Sequence, residues 1–282
     1  MWIFSVVTAA AAALATAFLN GYEGTAYLLL LPLFAGYLVA VILFCFVFAF
    51  FATLPINLDK PVTKPSRFYT FLYHFIDDFL CETARIDLKI NGLEKLDPKQ
   101  KYLFVYNHRS DFDPMLMSKF FKRYKILMVS KPSNFRIPIA GKCIHKAGFM
   151  PIDRENDREA MKTVLKAAEY LKNGYSIGIA PEGTRNKKGI GLLPFRNGAF
   201  KIAQRAAAPI AVFTFNGVEK VGRNFPFKRT KATLDIVRVY SAEEACALRT
   251  AELGEEVACA MLDDIRERNP GFKVNAEKDE KQ

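Results

Sequence analysis

The sequence predicts an α/β fold, a mixed sheet layered with helices, preceded by an N-terminal pair of membrane helices. Charge is almost missing from the start: Glu23 is the one charged side chain in residues 1–58, although the 282-residue chain carries +11 overall. The remainder, without that acid, therefore carries +12. Beyond residue 85, short apolar runs alternate with stretches of helical periodicity, the pattern of a sheet covered by helices. The expected division is a membrane anchor over 1–58 and a basic, water-facing domain over 59–282, long enough for a substantial core.

Met1 to Leu19 has no charged side chain and is just long enough to cross a hydrocarbon core. Ala15-Thr16-Ala17 imitates a signal-peptide cleavage site, but a basic n-region is missing and a second apolar run follows at once. After a polar turn at 20–25, residues 26–54 are apolar, interrupted by Pro32 and Gly36. Lys60, Lys64 and Arg67 come next, so the positive-inside rule places the large domain on the cytoplasmic side of the cell membrane. A re-entrant pair dipping into one leaflet is the alternative that Pro32 leaves open, so the chain is read as integral or monotopic.

Apolar residues from Phe68 to Leu80 recur three and four apart, predicting an amphipathic helix that packs on the domain. Thr70, His74, Asp77 and Asp78 form its expected solvated face. Strands are then expected at 86–90, 102–106, 126–130, 176–180, 210–215 and 232–240. Asn156 with Glu159 opens a helix reaching Gly174, and 198–207 is a further helix. Ser241 with Glu244 caps a helical end region to about Asn269, with a break near Gly254, and the charged tail 277–282 frays. Strand order is not readable.

The five cysteines form no CxxC pair and have no histidine at ligand spacing, which argues against a zinc site or a disulfide framework. No metal is expected. The positive charge prompts a nucleic-acid reading, but no recognition motif accompanies it.

Chemistry concentrates in Asn107-His108-Arg109-Ser110-Asp111-Phe112-Asp113-Pro114, directly after the apolar run Tyr102 to Tyr106. A histidine there can take a proton near neutral pH, and a carboxylate on its other nitrogen fixes the tautomer. Five residues of helix turn through about 500°, roughly 140° off one face, so His108 and Asp113 cannot be neighbours on one regular helix. His108 is therefore expected in the turn, with Asp113 at the start of the next helix and Pro114 in its first turn. The plainer reading is a helix start at which Asp111 or Asp113 bonds backbone amides.

Two further stretches matter. Gly148-Phe149-Met150-Pro151-Ile152-Asp153-Arg154 ends in a cation. Pro181-Glu182-Gly183-Thr184-Arg185 supplies a carboxylate, a flexible glycine, a hydroxyl and a guanidinium. Arginine suits bidentate recognition of phosphate, and glycine lets an anion approach the backbone.

In this order, and with Pro209-Ile210 opening a later strand, these stretches closely resemble the four motifs of the glycerolipid acyltransferases, with the closest likeness to bacterial 1-acyl-glycerol-3-phosphate acyltransferases. Lys131-Pro132, Pro138, Gly141 and the stretch Pro194-Phe195-Arg196-Asn197-Gly198-Ala199-Phe200 add to the likeness, which covers roughly residues 85–220. It implies acyl transfer from a thioester, on coenzyme A or acyl carrier protein, to the hydroxyl of a lysophosphatidate, giving phosphatidate. It implies His108 as general base and Asp113 as its orienting partner, with Arg154, Glu182, Gly183, Thr184 and Arg185 at the acceptor phosphate. No cofactor is implied beyond the thioester co-substrate, and the partners are a lysophospholipid, the donor and the bilayer. Pro132, where many members have an acidic residue, and the Ala-Pro-Ile fourth motif put the acceptor in doubt. Another lysophospholipid or glycerol 3-phosphate stays open as acceptor, as does a silent lipid-binding homologue. The clusters Lys122-Arg123-Tyr124-Lys125, Lys187-Lys188 and Lys228-Arg229-Thr230-Lys231 suit an anionic donor or leaflet.

Overall fold

The computed structural model describes residues 1–21, 28–187 and 191–269. The turn expected at 20–25 beyond Gly21, Lys188 and the tail 277–282 lie outside the described residues. The first elements are α1 (Trp2–Leu19), α2 (Leu30–Thr53), α3 (Arg67–Thr83), β1 (Ile86–Asn91), β2 (Leu103–Tyr106), α4 (Asp113–Phe120) and β3 (Ile126–Ser130). Next come α5 (Ala140–Lys146), β4 (Met150–Pro151), α6 (Asp157–Lys172), β5 (Ser176–Ile179), α7 (Lys201–Ala206) and β6 (Ile210–Asn216). The chain closes with α8 (Val221–Asn224), β7 (Thr230–Tyr240), α9 (Ala242–Ala247) and α10 (Thr250–Arg268). They form two units, one of residues 1–82 with 133–148, the other of 83–132 with the chain from Phe149 onward.

In the first unit α1 and α2 are both long and apolar enough to cross a membrane. Pro32 falls in the first turn of α2, where a missing N–H leaves no bond unmade, and Gly36 is accommodated without a break. α1 packs on α2 and buries Ser5, Ala9, Ala13 and Ala17, a stripe of small side chains that allows close approach. Thr16 and the Tyr37 hydroxyl share a 2.8 Å hydrogen bond between the two helices.

α3 has the expected apolar stripe, and its Leu72 and Ile76 pack with Ala49 of α2 and Cys143 of α5. The polar face differs from expectation. Asp77 is buried and accepts a 3.7 Å bond from Cys81 Sγ, and His74 is half-buried beside Tyr73. The reason is cover from several directions: Trp2 stacks on Phe79 at 5.0 Å, while Tyr69 and Tyr73 pack on the same cluster as Ile139. Gly141 in α5 lies so close to the preceding turn that a Cβ would stand 2.2 Å from the Phe135 carbonyl oxygen.

The second unit is a seven-stranded sheet in the order β1-β7-β6-β2-β5-β3-β4. All neighbours are parallel except β6 with β7, which makes the sheet mixed. β2 is buried on both faces, as its uninterrupted apolar sequence requires. Phe104 meets Phe121 and Phe213 on one face; Leu103 and Val105 join Ile177, Val212 and Leu171 on the other.

All six expected strands form, and β4, a two-residue strand, is an addition that the motif around Met150 did not announce. Asn156 caps α6, its Oδ1 accepting from the amides of Arg158 and Glu159 at 3.1 and 3.2 Å. Ser241 and Glu244 form a reciprocal capping box. The break in the C-terminal helical region lies at Leu248-Arg249, not at Gly254. Gly254 stays helical because it is a packing site: a Cβ there would meet Asn197 Oδ1 at 2.2 Å. The helix expected over 198–207 begins as a 3-10 turn over Asn197–Phe200 before continuing as α7.

Gly141→Ala should lower the thermal midpoint of the detergent-solubilised protein, although alanine favours helix by about 1 kcal/mol. The clash is with backbone, and overpacking of that kind costs about 1–3 kcal/mol. An unchanged or raised midpoint would show that the turn at Phe135 moves freely.

Candidate active site

β6, β2, β5, β3 and β4 run in one direction, so the loops after them emerge at one edge of the sheet. Parallel sheets gather binding groups at that edge. Residues 107–113, 152–154, 181–187 and 216–219 all start there, which brings together segments far apart in the chain.

His108 lies in the turn after β2 and Asp113 opens α4, with Pro114 in the first turn, as the spacing requires. His108 Nδ1 is 2.9 Å from Asp113 Oδ2. The same oxygen accepts the amide N–H groups of Arg109 at 2.5 Å and Ser110 at 2.7 Å. Two donors that can only donate make Oδ2 an acceptor, so Nδ1 carries a proton and donates to it, which in the neutral ring leaves the lone pair on Nε2. Asp113 therefore serves both readings of the sequence: it orients the histidine and ties down backbone amides, here those of the preceding turn. The carboxyl is fully buried, and burial pushes its pKa above the ordinary 3.8 against the opposing pull of His108 and the two amides. Its Oδ1 meets no donor among the described residues.

The backbone of His108 is gripped from β5's loop. Its N–H donates to Glu182 Oε1 at 2.7 Å, and its carbonyl accepts from the Asn186 amide at 2.7 Å. Glu182 Oε2 accepts the Leu193 amide at 2.9 Å. Glu182 is 5% exposed, and burial raises its pKa, opposed by those same two amides. Both oxygens of Glu182 are thus committed to the scaffold. Among the groups expected at an acceptor phosphate, it alone faces inward as a brace.

Asn107 adds a second brace that the sequence reading passed over. Its side-chain amide donates to the Phe215 carbonyl at 3.1 Å and accepts from the Phe215 amide at 2.6 Å, extending the β2–β6 pairing beyond Tyr106.

The cations fall into two groups. Gly183, at φ +72°, leaves room for Arg196 and Arg154: a Cβ there would stand 3.1 Å from Arg196 Nε and 3.6 Å from Arg154 Cδ. Arg196 Nη1 donates to the Arg154 carbonyl at 2.9 Å. Burial, and then the neighbouring Arg196 charge, lower the Arg154 pKa. Neither guanidinium has a carboxylate partner among the described residues, so this is a concentrated positive site. Arg196 was visible in sequence only as part of a likeness, because its meeting with Arg154 is made across 42 residues. Arg185 instead pairs with Asp111, and Thr184 is exposed. Asp111, Phe112, Arg185, Lys187 and Glu219 help line a cleft of about 440 Å³. Arg109 lines it too, its Nε 3.5 Å from Glu219 Oε2.

A family model described as Acyltransferase matches residues 87–215. The chain is 31% identical over 189 residues to a 1-acyl-sn-glycerol-3-phosphate acyltransferase of Haemophilus influenzae, covering 61% of this chain and 78% of that one. It is 29% identical over 186 residues to the protein of that name in Saccharomyces cerevisiae, covering 64% of this chain and 61% of the yeast protein. It is also 34% identical over 133 residues to the chloroplastic 1-acyl-sn-glycerol-3-phosphate acyltransferase BAT2 of Brassica napus, covering 47% of this chain and 38% of the plant protein. The chain thus spans less than two thirds of the yeast and plant relatives. The crystal structure of the 1-acyl-sn-glycerophosphate acyltransferase PlsC from Thermotoga maritima shares the fold, with a TM-score of 0.60 and 20% identity over 84% of this chain and 95% of that one.

A carboxyl whose pKa is raised by folding contributes most below its ordinary value, and that contribution is lost as pH climbs through the raised one. Asp113→Asn keeps an oxygen for the three donors and removes the ionisation. Its thermal midpoint relative to the unsubstituted protein should therefore rise as pH climbs above the ordinary carboxyl range, about pH 4. Parallel profiles for the two proteins would show that Asp113 does not titrate above its ordinary range.

Proposed function

The chain belongs to the acyltransferase family that includes the 1-acyl-sn-glycerol-3-phosphate acyltransferases, and from that premise we propose that it acylates the free hydroxyl of lysophosphatidate from an acyl thioester, giving phosphatidate. The observation that carries the reading is the His108–Asp113 pair at 2.9 Å, held beside a doubly cationic site. The donor is acyl-coenzyme A or acyl carrier protein, whose thioester chemistry is the same.

His108 Nε2 takes the hydroxyl proton as the oxygen attacks the thioester carbonyl. Asp113 holds the ring by Nδ1 and stabilises the imidazolium that forms. Collapse of the tetrahedral intermediate breaks the carbon–sulfur bond, and the imidazolium returns the proton to the departing thiolate. No acyl-enzyme is needed, and Ser110 and the cysteines have no nucleophilic role. Arg154, Arg196, the Gly183 backbone and Thr184 bind the acceptor phosphate, with Arg185 joining them by leaving Asp111. Glu182 acts on the base, as a positioning residue. The apolar helices α1 and α2 seat the protein in the cell membrane, where a lipid acceptor arrives without leaving the bilayer. Lys60, Lys64 and Arg67 after α2 favour a cytoplasmic face for the second unit.

Acyl transfer by the detergent-solubilised protein to lysophosphatidate, other lysophospholipids and glycerol 3-phosphate tests the reading. His108→Ala should lower kcat on the order of 10²–10⁴, the usual worth of a general base. Arg196→Ala should raise the KM for lysophosphatidate, whereas Glu182→Gln should lower kcat and leave that KM unchanged. Activity on other acceptors alone would replace lysophosphatidate, and activity retained in folded His108→Ala would remove the base.

A further inference from the structure

From Arg223 to Arg229 the chain runs along the surface of the second unit, and every residue there except Asn224 is exposed. Two aromatic rings stand out in it: Phe225 is 46% exposed and Phe227 84%. Their loop has a defined base. The Lys228 amide donates to the Asn224 carbonyl at 2.8 Å, Asn224 Nδ2 to Thr230 Oγ1 at 3.0 Å, and Arg85 Nη1 to the Phe227 carbonyl at 3.0 Å. The rings are therefore held outward by the backbone.

Charge surrounds them with one sign. Lys220, Arg223, Lys228, Arg229 and Lys231 are exposed across 219–231, a stretch whose one carboxylate, Glu219, faces Arg109. Arg229 is 3.3 Å from Asp87, and the other four have no ion pair among the described residues. The segment also leads to the cleft next to His108 in the chain, because Glu219 and Gly222 line it beside Arg109, Ser110 and Asp111.

We propose that the Phe225–Phe227 loop is a membrane-docking finger that sets the mouth of this cleft on an anionic bilayer. The rings enter the interfacial layer, where amphipathic and aromatic side chains settle, and the flanking lysines and arginines meet lipid phosphates. An acidic protein surface would also suit the cations, but outward aromatic tips ahead of a cationic collar match the layering of a leaflet, apolar below and anionic above. The finger belongs to the second unit and α1 and α2 to the first, and it is independent of which hydroxyl is acylated.

The test is depth-dependent quenching of the full chain reconstituted in vesicles of phosphatidylethanolamine and phosphatidylglycerol, with and without brominated acyl chains. Trp2 is the single tryptophan, so the unsubstituted protein reports α1, and Trp2→Phe/Phe227→Trp reports the loop. Bromolipid should quench the indole at position 227 by at least twofold, with a blue-shifted emission, and less so in vesicles of phosphatidylcholine alone. Quenching at Trp2 without quenching at position 227 overturns the finger and leaves the anchor standing. Quenching at neither position overturns both. Shielding of position 227 from iodide by added acyl carrier protein, without bromolipid quenching, overturns the finger in favour of a protein partner.

Discussion

The site depends on a buried carboxylate whose two oxygens are both spent on main-chain amides. Glu182 reaches across 74 residues of sequence to hold the His108 amide, and with its other oxygen holds Leu193. Burying a carboxylate is costly unless donors meet it, and removing one partner of such a group leaves a desolvated charge. Here the donors are main-chain amides, so the cost is offset only when the turn after β2 and the loop after β5 are both in place. That couples the histidine's position to the loop that carries Gly183 and Arg185. Asp113 repeats the device from the other side, with its Oδ2 shared among His108, Arg109 and Ser110. Rigid placement of this kind is what a general base needs, since misplacement by an ångström costs rate steeply.

Against these anchored groups, the cations are placed under tension. Arg154 and Arg196 lie side by side over Gly183 with no carboxylate to separate them among the described residues, and their proximity lowers the Arg154 pKa in addition to burial. Arg185 is arranged differently, its charge met by Asp111 at an exposed position where an ion pair is weak and readily exchanged. Two arginines thus lie together without a carboxylate partner among the described residues, while a third is held by a surface acid.

Legibility in the sequence followed range. Features set within a few residues were readable: the buried run of β2, the Asn156 cap of α6, the Ser241–Glu244 box, and the separation that puts His108 in a turn and Asp113 on a helix. The strand order and β4 were not, because parallel pairing at Met150 is decided by β3, more than twenty residues earlier. Glu182 was placed at the acceptor phosphate by the resemblance alone, and its bonds to the His108 and Leu193 amides could not be read locally because the first spans 74 residues. Asp77 looked solvated because helical periodicity describes one packed face, whereas α3 is covered on more than one side. Gly254 looked like a break because local propensity disfavours it in a helix, yet Asn197 needs the space its missing side chain leaves.

Whether Asp113 works through His108 can be read from a double-mutant cycle on acyl transfer. Initial rates would be compared for the unsubstituted protein, His108→Ala, Asp113→Asn and the double variant, each checked for folding. Residues that act as one unit are strongly non-additive. If Asp113 acts only through the ring, the double variant is no slower than His108→Ala alone. Losses that multiply would contradict it, because Asp113 would then contribute to the reaction by a route that does not pass through the histidine.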